Sequence, residues 1–419
     1  MSRDTQKMGF NATWSMAVGG MVGGGIFAVL GVVVERAGQW AWLSFLGGGV
    51  IALATAYSYA ELSARYGESG GAFLFLRKIH HEGMAGSLSW VLIVGYVLTL
   101  SVYAFTFGHY VGEVIGWSDL VVRVLAVGII VVLALVNLRG VGGSALLEIV
   151  TVWGKVALLA ALAVAGLIRF RPAALTSGVE PRGLSGALLG AAAVFMAYEG
   201  FQLLTYDYDE IRRPNVTLRR ALLLAVVTVM GIYIVVTLGA TSLVGAGTIV
   251  QEREIALAAA GRQAWGTLGV VLVSVAAAFS TGSAINATLF ATARLADTVA
   301  TDGELPTFAC HRNTHNVPDR ALLVLAAMGA TLAAIGSLGS LVEAASLVFL
   351  FTFGVVNTIA VGQLTERRWI PALGALGATG AVVVLVIELV QTSPFSLIAL
   401  GALILIATTL RPLILRHTG

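Results

Sequence analysis

The chain has 419 residues, of which 58% are hydrophobic and only 11% are charged, and its formal net charge is +3. Soluble domains carry about 25% charged residues, so this composition excludes a water-exposed surface over most of the chain. The scattered basic residues exclude an extended nucleic-acid-binding patch, and the single cysteine, Cys310, cannot form an internal disulfide. We therefore expect an all-α integral membrane protein whose apolar segments face lipid.

Hydropathy divides the chain into apolar segments of roughly 20 residues, the length that a helix needs to cross a bilayer. Twelve such segments are predicted, at about 12–34, 39–61, 86–112, 121–137, 144–168, 184–206, 220–244, 265–296, 320–337, 341–363, 371–390 and 395–411. The loops between them are too short for an additional soluble domain. The sequence therefore predicts one transmembrane domain over residues 1–419.

The distribution of lysine and arginine predicts the orientation, because cytoplasmic loops carry an excess of both residues. With twelve spans, 17 of these residues lie on the side of the N-terminus and 7 on the opposite side, while Lys155 lies within a span. This excess predicts that both termini are cytoplasmic in a multi-pass protein of the cell membrane.

The first predicted span contains five glycines between residues 19 and 25. Glycine loses more conformational freedom than any other residue on entering a helix, so this stretch is predicted to open near mid-membrane. The N–H groups of an opened segment could bind a carboxylate, helped by the positive end of the following half-helix. The predicted carboxylate-binding residues are Gly23, Gly24 and Gly25. Close packing against another helix is the alternative, because the same glycines fit the small-xxx-small pattern.

The sixth predicted span has a matching candidate break at residues 197–201. Each break opens a set of five spans, about 12–168 and 184–363, and an odd number of spans makes the two sets inverted repeats. Interrupted segments at corresponding positions of two halves indicate the binding site of a transporter. Glu199 could pair with a cationic substrate, carry a proton or cap a half-helix. The aromatic candidates for gating this site are Phe195, Tyr198 and Phe201.

Lys155 lies deep within the fifth predicted span. A charged residue there costs about 2.5–3.5 kcal/mol on insertion scales and usually marks an ion pathway. Its ammonium group could take the place of a bound cation, donating to opened carbonyls of the first span and to hydroxyls of the eighth, and could release its proton during transport. The candidate hydroxyls belong to Ser280, Thr281 and Ser283. A lysine that snorkels to the membrane surface is the alternative.

Several of these segments resemble the amino acid–polyamine–organocation (APC) superfamily, and the resemblance covers nearly the whole chain. Residues 18–27 resemble its first-helix signature with the ending G-x-G-I-F, and residues 195–201 resemble its F-x-A-F-x-G-F motif. Further matches lie at residues 59–62, 67–73, 137–140, 210–214 and 302–306. The chain departs from the pattern at Gly67, where proline is usual, and at Gln202, where glutamate is common.

The resemblance implies a LeuT-like fold of two inverted five-helix repeats with two extra helices, at about 371–411. It implies alternating access to a central amino-acid site between the first and sixth spans. It also implies that Lys155 replaces sodium and can carry a coupling proton, and that Glu199 favours basic amino acids. The superfamily's pattern assigns ammonium binding to carbonyl groups around Gly20, Met21, Phe195 and Met196.

The sequence thus predicts sodium-independent, proton-coupled transport of amino acids without a cofactor. Amino-acid exchange and transport of a polyamine or small amine remain alternatives, although a polyamine has no carboxylate for the glycine amides. A non-transporting sensor that keeps the fold is a further alternative, against which the glycines and Lys155 argue. A membrane enzyme is least favoured, because the predicted spans contain no nucleophile–base set or metal-binding cluster.

Overall fold

The computed structural model describes residues 7–116, 118–140, 145–392 and 394–405. Within these ranges all regular structure is helical, apart from one isolated backbone bridge between Met8 and Ile211. Helices satisfy their own backbone hydrogen bonds, which is what lipid surroundings require. Parts of the predictions above lie outside the described residues, namely residue 144 of the fifth predicted span and residues 406–411 of the twelfth. Three of the 17 basic residues on the side of the N-terminus also lie outside them, namely Arg3, Arg411 and Arg416.

The α-helices of the described residues are numbered in chain order. They are α1 (Phe10–Ala37), α2 (Ala41–Tyr66), α3 (Gly71–Lys78), α4 (Glu82–Ile115), α5 (Asp119–Leu138), α6 (Ala145–Leu167), α7 (Ser185–Ala193), α8 (Pro214–Val244), α9 (Ala246–Gln251), α10 (Ala256–Thr301), α11 (Asp319–Ile335), α12 (Leu338–Gln363), α13 (Trp369–Thr392) and α14 (Pro394–Leu405). Short 3₁₀ segments lie at Gly38–Trp40, Pro172–Leu175, Phe195–Tyr198, Phe201–Glu210 and Thr307–Cys310.

Eight helical stretches among the described residues are long and apolar enough to cross a membrane, and one bent pair would make nine. The first stretch, Phe10–Tyr66, contains both α1 and α2, joined by a single 3₁₀ turn. The predicted all-α class is confirmed for the described residues. The arrangement as twelve spans in two inverted repeats stays a prediction.

Burial separates a central helix from peripheral ones. Every residue of α1 from Met21 to Val34 is buried. On α5 the buried residues form one narrow stripe, which includes Val122, Ala126 and Ile130 at four-residue spacing. Lipid tails are as apolar as these side chains, so the exposed faces of α5 suit a bilayer. The core therefore lies around α1, and α1 positions the candidate site.

Ion pairs lie at both ends of α1. Arg36, near its C-terminal end, pairs with Glu343 of α12 and with Glu388 of α13, each at 2.6 Å. At the N-terminal end, Met8 forms a backbone bridge with Ile211, which follows the sixth span. On the same side of the molecule, Arg294 of α10 pairs with Asp207 at 2.8 Å. We name these two sides the Arg36 face and the Arg294 face. The orientation predicted above makes the Arg294 face cytoplasmic.

Candidate functional site

The sixth predicted span is broken in the structure. α7 ends at Ala193, the 3₁₀ turn Phe195–Tyr198 follows, and Glu199 adopts an extended backbone before the 3₁₀ segment Phe201–Glu210. The two arms of this span differ in direction by 59°. The predicted break at residues 197–201 is therefore confirmed.

Gly200 makes possible the backbone turn between the two 3₁₀ segments Phe195–Tyr198 and Phe201–Glu210. Its φ of 122° lies in a region that L side chains rarely adopt. A Cβ atom at this position would also lie 2.6 Å from the carbonyl carbon of Gly20 on α1. Gly200 is thus required both for the backbone turn and for the close contact between α1 and the sixth span.

Ser346 of α12 binds backbone groups that the break frees. Its hydroxyl accepts a hydrogen bond from the Met196 N–H at 3.0 Å and donates to the Ala193 carbonyl at 2.8 Å. One side chain therefore replaces two main-chain partners, as a buried break requires. Sequence reasoning missed Ser346, because its contact joins residues 150 or more positions apart.

Tyr233 of α8 lies between the two predicted elements of the site. Its hydroxyl is 2.7 Å from the Met21 carbonyl oxygen of α1 and 2.9 Å from the Ala197 carbonyl oxygen of the sixth span. A hydroxyl carries one hydrogen, so the two carbonyls share a single donor. This hydroxyl can therefore donate fully to only one of the two oxygens at a time.

Glu199 is 1% exposed and has two side-chain donors. The Tyr103 hydroxyl donates to Oε2 at 3.2 Å, and the Gln202 amide donates to Oε1 at 3.0 Å. The Gln202 carbonyl oxygen in turn accepts from the Gly200 N–H at 2.9 Å. Gln202, whose role the superfamily pattern left in doubt, is thus the residue that caps the break. A glutamate in its place would have no amide donor for Glu199.

The predicted break in the first span is wrong for this structure. Phe10–Ala37 forms one continuous α-helix, so the N–H groups of Gly23, Gly24 and Gly25 lie inside a helix. They do not form the free end of an opened half-helix. Their binding of a carboxylate stays a prediction for a conformation in which α1 opens.

Close packing explains why these glycines are present in an intact helix. A Cβ atom at Gly24 would overlap the Tyr103 ring, and one at Gly25 would overlap the Tyr233 hydroxyl. At Gly20 an added Cβ would lie 3.1 Å from the α-carbon of Gly200. The helix-packing alternative is therefore what the structure has, and it brings the site's aromatic residues against the α1 backbone.

Lys155 of α6 is 5% exposed, and its ammonium group donates to the Gly19 carbonyl of α1 at 3.3 Å. The predicted contact with a first-span carbonyl is therefore confirmed, although α1 is intact. Ser280 of α10 makes a similar contact, since its hydroxyl donates to the Val22 carbonyl at 2.9 Å. Two further candidates lie on α10: Thr281, which is buried and donates to the Ala277 carbonyl of its own helix at 2.7 Å, and Ser283, which is half-buried.

The predicted aromatic gates are packed against neighbouring helices. The ring of Phe353 on α12 lies 5.7 Å from the Phe195 ring and 5.4 Å from the Phe201 ring, measured between centroids. Tyr198 points toward α2, where its hydroxyl donates to the Phe45 carbonyl at 2.5 Å. All three rings are buried beside the break, and their gating role stays a prediction.

Comparison with known proteins places this geometry in a family. The amino acid permease family matches residues 8–408. The chain is 31% identical to the inner membrane transport protein YbaT of Escherichia coli, over 83% of this chain and 81% of that protein. It is 26% identical to the serine/threonine exchanger SteT of Bacillus subtilis, over 72% of this chain and 69% of that protein.

A plant relative covers a similar part of the chain. The vacuolar cationic amino acid transporter 2 of Arabidopsis thaliana is 26% identical, over 82% of this chain and 57% of that protein. The matched family and the characterised relatives are membrane transporters and not enzymes. The chain therefore belongs to the amino acid permease family, within the APC superfamily.

Proposed function

We propose that this protein carries amino acids across the cell membrane by alternating access, without sodium and coupled to protons. Membership of the amino acid permease family supports the substrate class. The single observation that carries the ion coupling is the contact of Lys155 with α1. Its ammonium group, 5% exposed, donates to the Gly19 carbonyl at 3.3 Å.

A buried ammonium group at this position links proton binding to the position of α1. A charge-assisted hydrogen bond is roughly twice as strong as a neutral one, so loss of the Lys155 proton weakens the hold of α6 on α1. By linkage, any state in which α1 moves away then binds the proton less tightly. The same charge repels a sodium ion from this location, which is why the proposal excludes sodium coupling.

The substrate is held in a state in which α1 opens at its glycines. The amides of Gly23 to Gly25 then bind the carboxylate, and the ammonium group binds backbone carbonyls, including that of Met21. Tyr233 now donates to Met21 and to Ala197. A substrate ammonium group, which has three donors, can replace this single hydroxyl and satisfy both oxygens.

Glu199 supports the acceptance of basic side chains. Its carboxylate is buried, and the donors that reach it from Tyr103 and Gln202 are neutral. A cationic side chain would bring the opposite charge that a buried carboxylate favours. The Arabidopsis relative is by name a cationic amino acid transporter.

Exchange of one amino acid for another is the second candidate function. The relative from Bacillus subtilis is by name a serine/threonine exchanger. In an exchanger, the empty protein does not reorient, so uptake depends on amino acid inside the vesicle. Transport coupled to protons needs no internal amino acid, which separates the two functions experimentally.

Reconstitution in liposomes tests the proposal. We expect an inward proton gradient to stimulate uptake of a labelled amino acid, with no effect of sodium. Lys155→Ala should lower the stimulated uptake roughly tenfold, because a hydrogen bond to a charged group is worth about 1.5–3 kcal/mol. Lys78→Ala is the matched control, since Lys78 lies at the surface and pairs with Glu68 at 2.6 Å.

Four results would contradict parts of this proposal. Uptake that requires sodium, or full proton stimulation in Lys155→Ala, would show that Lys155 does not couple protons to transport. Stimulation by internal amino acid alone would establish exchange. Glu199→Gln should lose basic substrates while it keeps neutral ones, and an equal loss of both would refute side-chain recognition by Glu199.

A further inference from the structure

A cavity of 100 Å³ lies between α1, the sixth span and α10. Its lining on the sixth span runs from Gly200 at the break to Asp207, and on α10 it ends at Arg294. On α1 it includes Gly20 and Met16, one turn closer to the Arg294 face. The cavity therefore extends from the break toward the Arg294 face. A cavity of this volume is large enough to hold water.

The outer part of this cavity carries one positive and one negative group. The Arg294 guanidinium lies 2.8 Å from Asp207 and 3.6 Å from Glu210, and it stacks over the Phe290 ring at 5.7 Å. The Asp207 side chain is 19% exposed and the Arg294 side chain 39%. A guanidinium has five N–H donors in a fork that matches a carboxylate. The pair thus offers complementary partners to a ligand with both charges.

We propose that this cavity, here called the vestibule site, binds an α-amino acid zwitterion on its way between the central site and the Arg294 face. Arg294 binds the carboxylate, and Asp207 binds the ammonium group. The inference rests on the proposed function, because it assigns a second position to the same substrate. It adds a site that the central glycines and Lys155 do not include.

The exchange of ion-pair partners keeps the electrostatic free-energy cost of this passage low. When the ion pair opens, the ligand carboxylate replaces Asp207 at Arg294, and the ligand ammonium replaces Arg294 at Asp207. No partly buried charge is left without an opposite charge at any stage, and it is the unpaired state that is costly. A neutral lining would instead require the zwitterion to lose its hydration without compensation.

Two contacts connect the vestibule site to the central site. The backbones of Gly20 and Gly200 meet at its inner end, so a ligand that passes must separate α1 from the sixth span. Tyr206 also lines the cavity, and its hydroxyl lies 3.4 Å from that of Tyr96, which accepts from Gln202 at 3.3 Å. Gln202 is the residue that caps the break. A ligand beside Tyr206 therefore lies next to the hydrogen-bond network that holds Gln202 in place.

Kinetics measured from each side of the membrane test the vestibule site. Intact cells of a host without its own uptake of the substrate report on one face, and everted membrane vesicles report on the other. Arg294→Gln should raise the amino-acid half-saturation concentration about tenfold on the Arg294 face, because a charge-assisted bond is lost. The opposite face should keep its value. Arg294→Lys should give a smaller rise, since lysine keeps the charge but not the fork.

A second readout separates binding from a merely structural lock. The substitution cannot change the equilibrium distribution of substrate across the membrane. It therefore cannot change how the two faces compare in maximal rate divided by half-saturation concentration. If the opposite face keeps its values, a weaker vestibule site must raise the half-saturation concentration and the maximal rate together on the Arg294 face. A lock that only stabilises one conformation would change rates on both faces.

The matched control is the ion pair of Arg312 with Asp297, which also belongs to the Arg294 face and includes an α10 residue. Arg312→Gln should change the half-saturation concentration on neither face.

Asp207→Asn is the second test and should give the same rise on the Arg294 face alone. It keeps the vestibule site testable if Arg294→Gln does not fold. If Asp207→Asn had the same half-saturation concentration as wild type on the Arg294 face, the vestibule site would be overturned. An equal change of this concentration on both faces would overturn it too. Wild-type protein that transports no amino acid would overturn the proposed function itself.

Discussion

The first and sixth spans differ in a way that their glycine content would not indicate. α1 carries five glycines between residues 19 and 25 and stays helical, whereas the sixth span leaves the α-helix after Ala193 and turns at Glu199 and Gly200. In α1, Tyr103 and Tyr233 fill the space beside the glycines. In the sixth span, Tyr233 and Ser346 bind the backbone groups that the break frees. In α1 the side chains of Lys155, Tyr233 and Ser280 reach carbonyl groups, whereas in the sixth span Ser346 also accepts from a freed N–H. A membrane helix therefore breaks where both its carbonyl and its N–H groups find partners, and not where glycine is most frequent.

The energies involved explain this difference. Glycine costs a helix about 1 kcal/mol per residue relative to alanine, whereas a polar group buried without a partner costs about 2–7 kcal/mol. Glycines alone therefore lower the cost of opening α1 without making the opening favourable. A bound zwitterion would supply the missing donors and acceptors. The sixth span is open in the structure, and α1 is expected to open when a zwitterion binds.

The largest effect is expected from Gly200→Ala. The substitution forces a side chain into a φ of 122° and places a Cβ atom 2.6 Å from the Gly20 backbone. Strained backbone costs about 1–3 kcal/mol, and overpacking adds about as much. We expect a large loss of thermal stability in detergent and no transport. Gly231→Ala in α8 is the control, because its Cβ meets no atom within 4 Å, and equal stability of the two variants would contradict the required role of Gly200.

Hydropathy predicts the membrane-crossing middle of each helix but not its ends. Hydropathy predicts that the eighth span begins near residue 265, and there the helical geometry of α10 is interrupted at Trp265 and Gly266. The helix itself starts earlier, at Ala256, and ends at Thr301, beyond the predicted end near residue 296. Helix ends extend into water, where polar residues are allowed, so apolar periodicity stops before the helix does.

Local motifs of the candidate site could be predicted, and its remote partners could not. The sequence around Glu199 and Gly200 predicts the break, because a buried charge beside glycine is a local signal. Ser346 and Tyr233 contribute single hydroxyl groups from other helices, and serine and tyrosine are common in such spans. Only the packing of α8 and α12 shows that these hydroxyls reach the break.

A smaller effect is expected from Gly24→Ala, which tests packing against binding in α1. The added methyl group overlaps the Tyr103 ring, and overpacking of this kind costs about 1–3 kcal/mol. Combining it with Tyr103→Val makes room for the methyl group. We therefore expect the double variant to be about 1 kcal/mol more stable than the sum of the two single effects, as measured by thermal unfolding in detergent.

Amino-acid affinity in the Tyr103→Val background then separates the two roles of Gly24. Packing no longer resists the methyl group there, so any further rise in the half-saturation concentration reports on the approach of ligand to the backbone. We expect a clear rise, because a bare backbone is needed for contact with the carboxylate. An unchanged half-saturation concentration would mean that Gly24 serves helix packing alone.

The smallest effect, and the one that joins the two spans, is expected from Tyr233→Phe. The change removes the donor shared by the Met21 and Ala197 carbonyls and should cost about 1 kcal/mol of stability. Tyr110→Phe is the control, since that hydroxyl donates to a different α1 carbonyl, that of Phe27 at 3.3 Å. If a substrate ammonium group replaces the Tyr233 hydroxyl, saturating amino acid should raise the unfolding temperature more in Tyr233→Phe than in wild type. An equal or smaller rise would place the ammonium group away from these carbonyls, and the first and sixth spans would then not form one site.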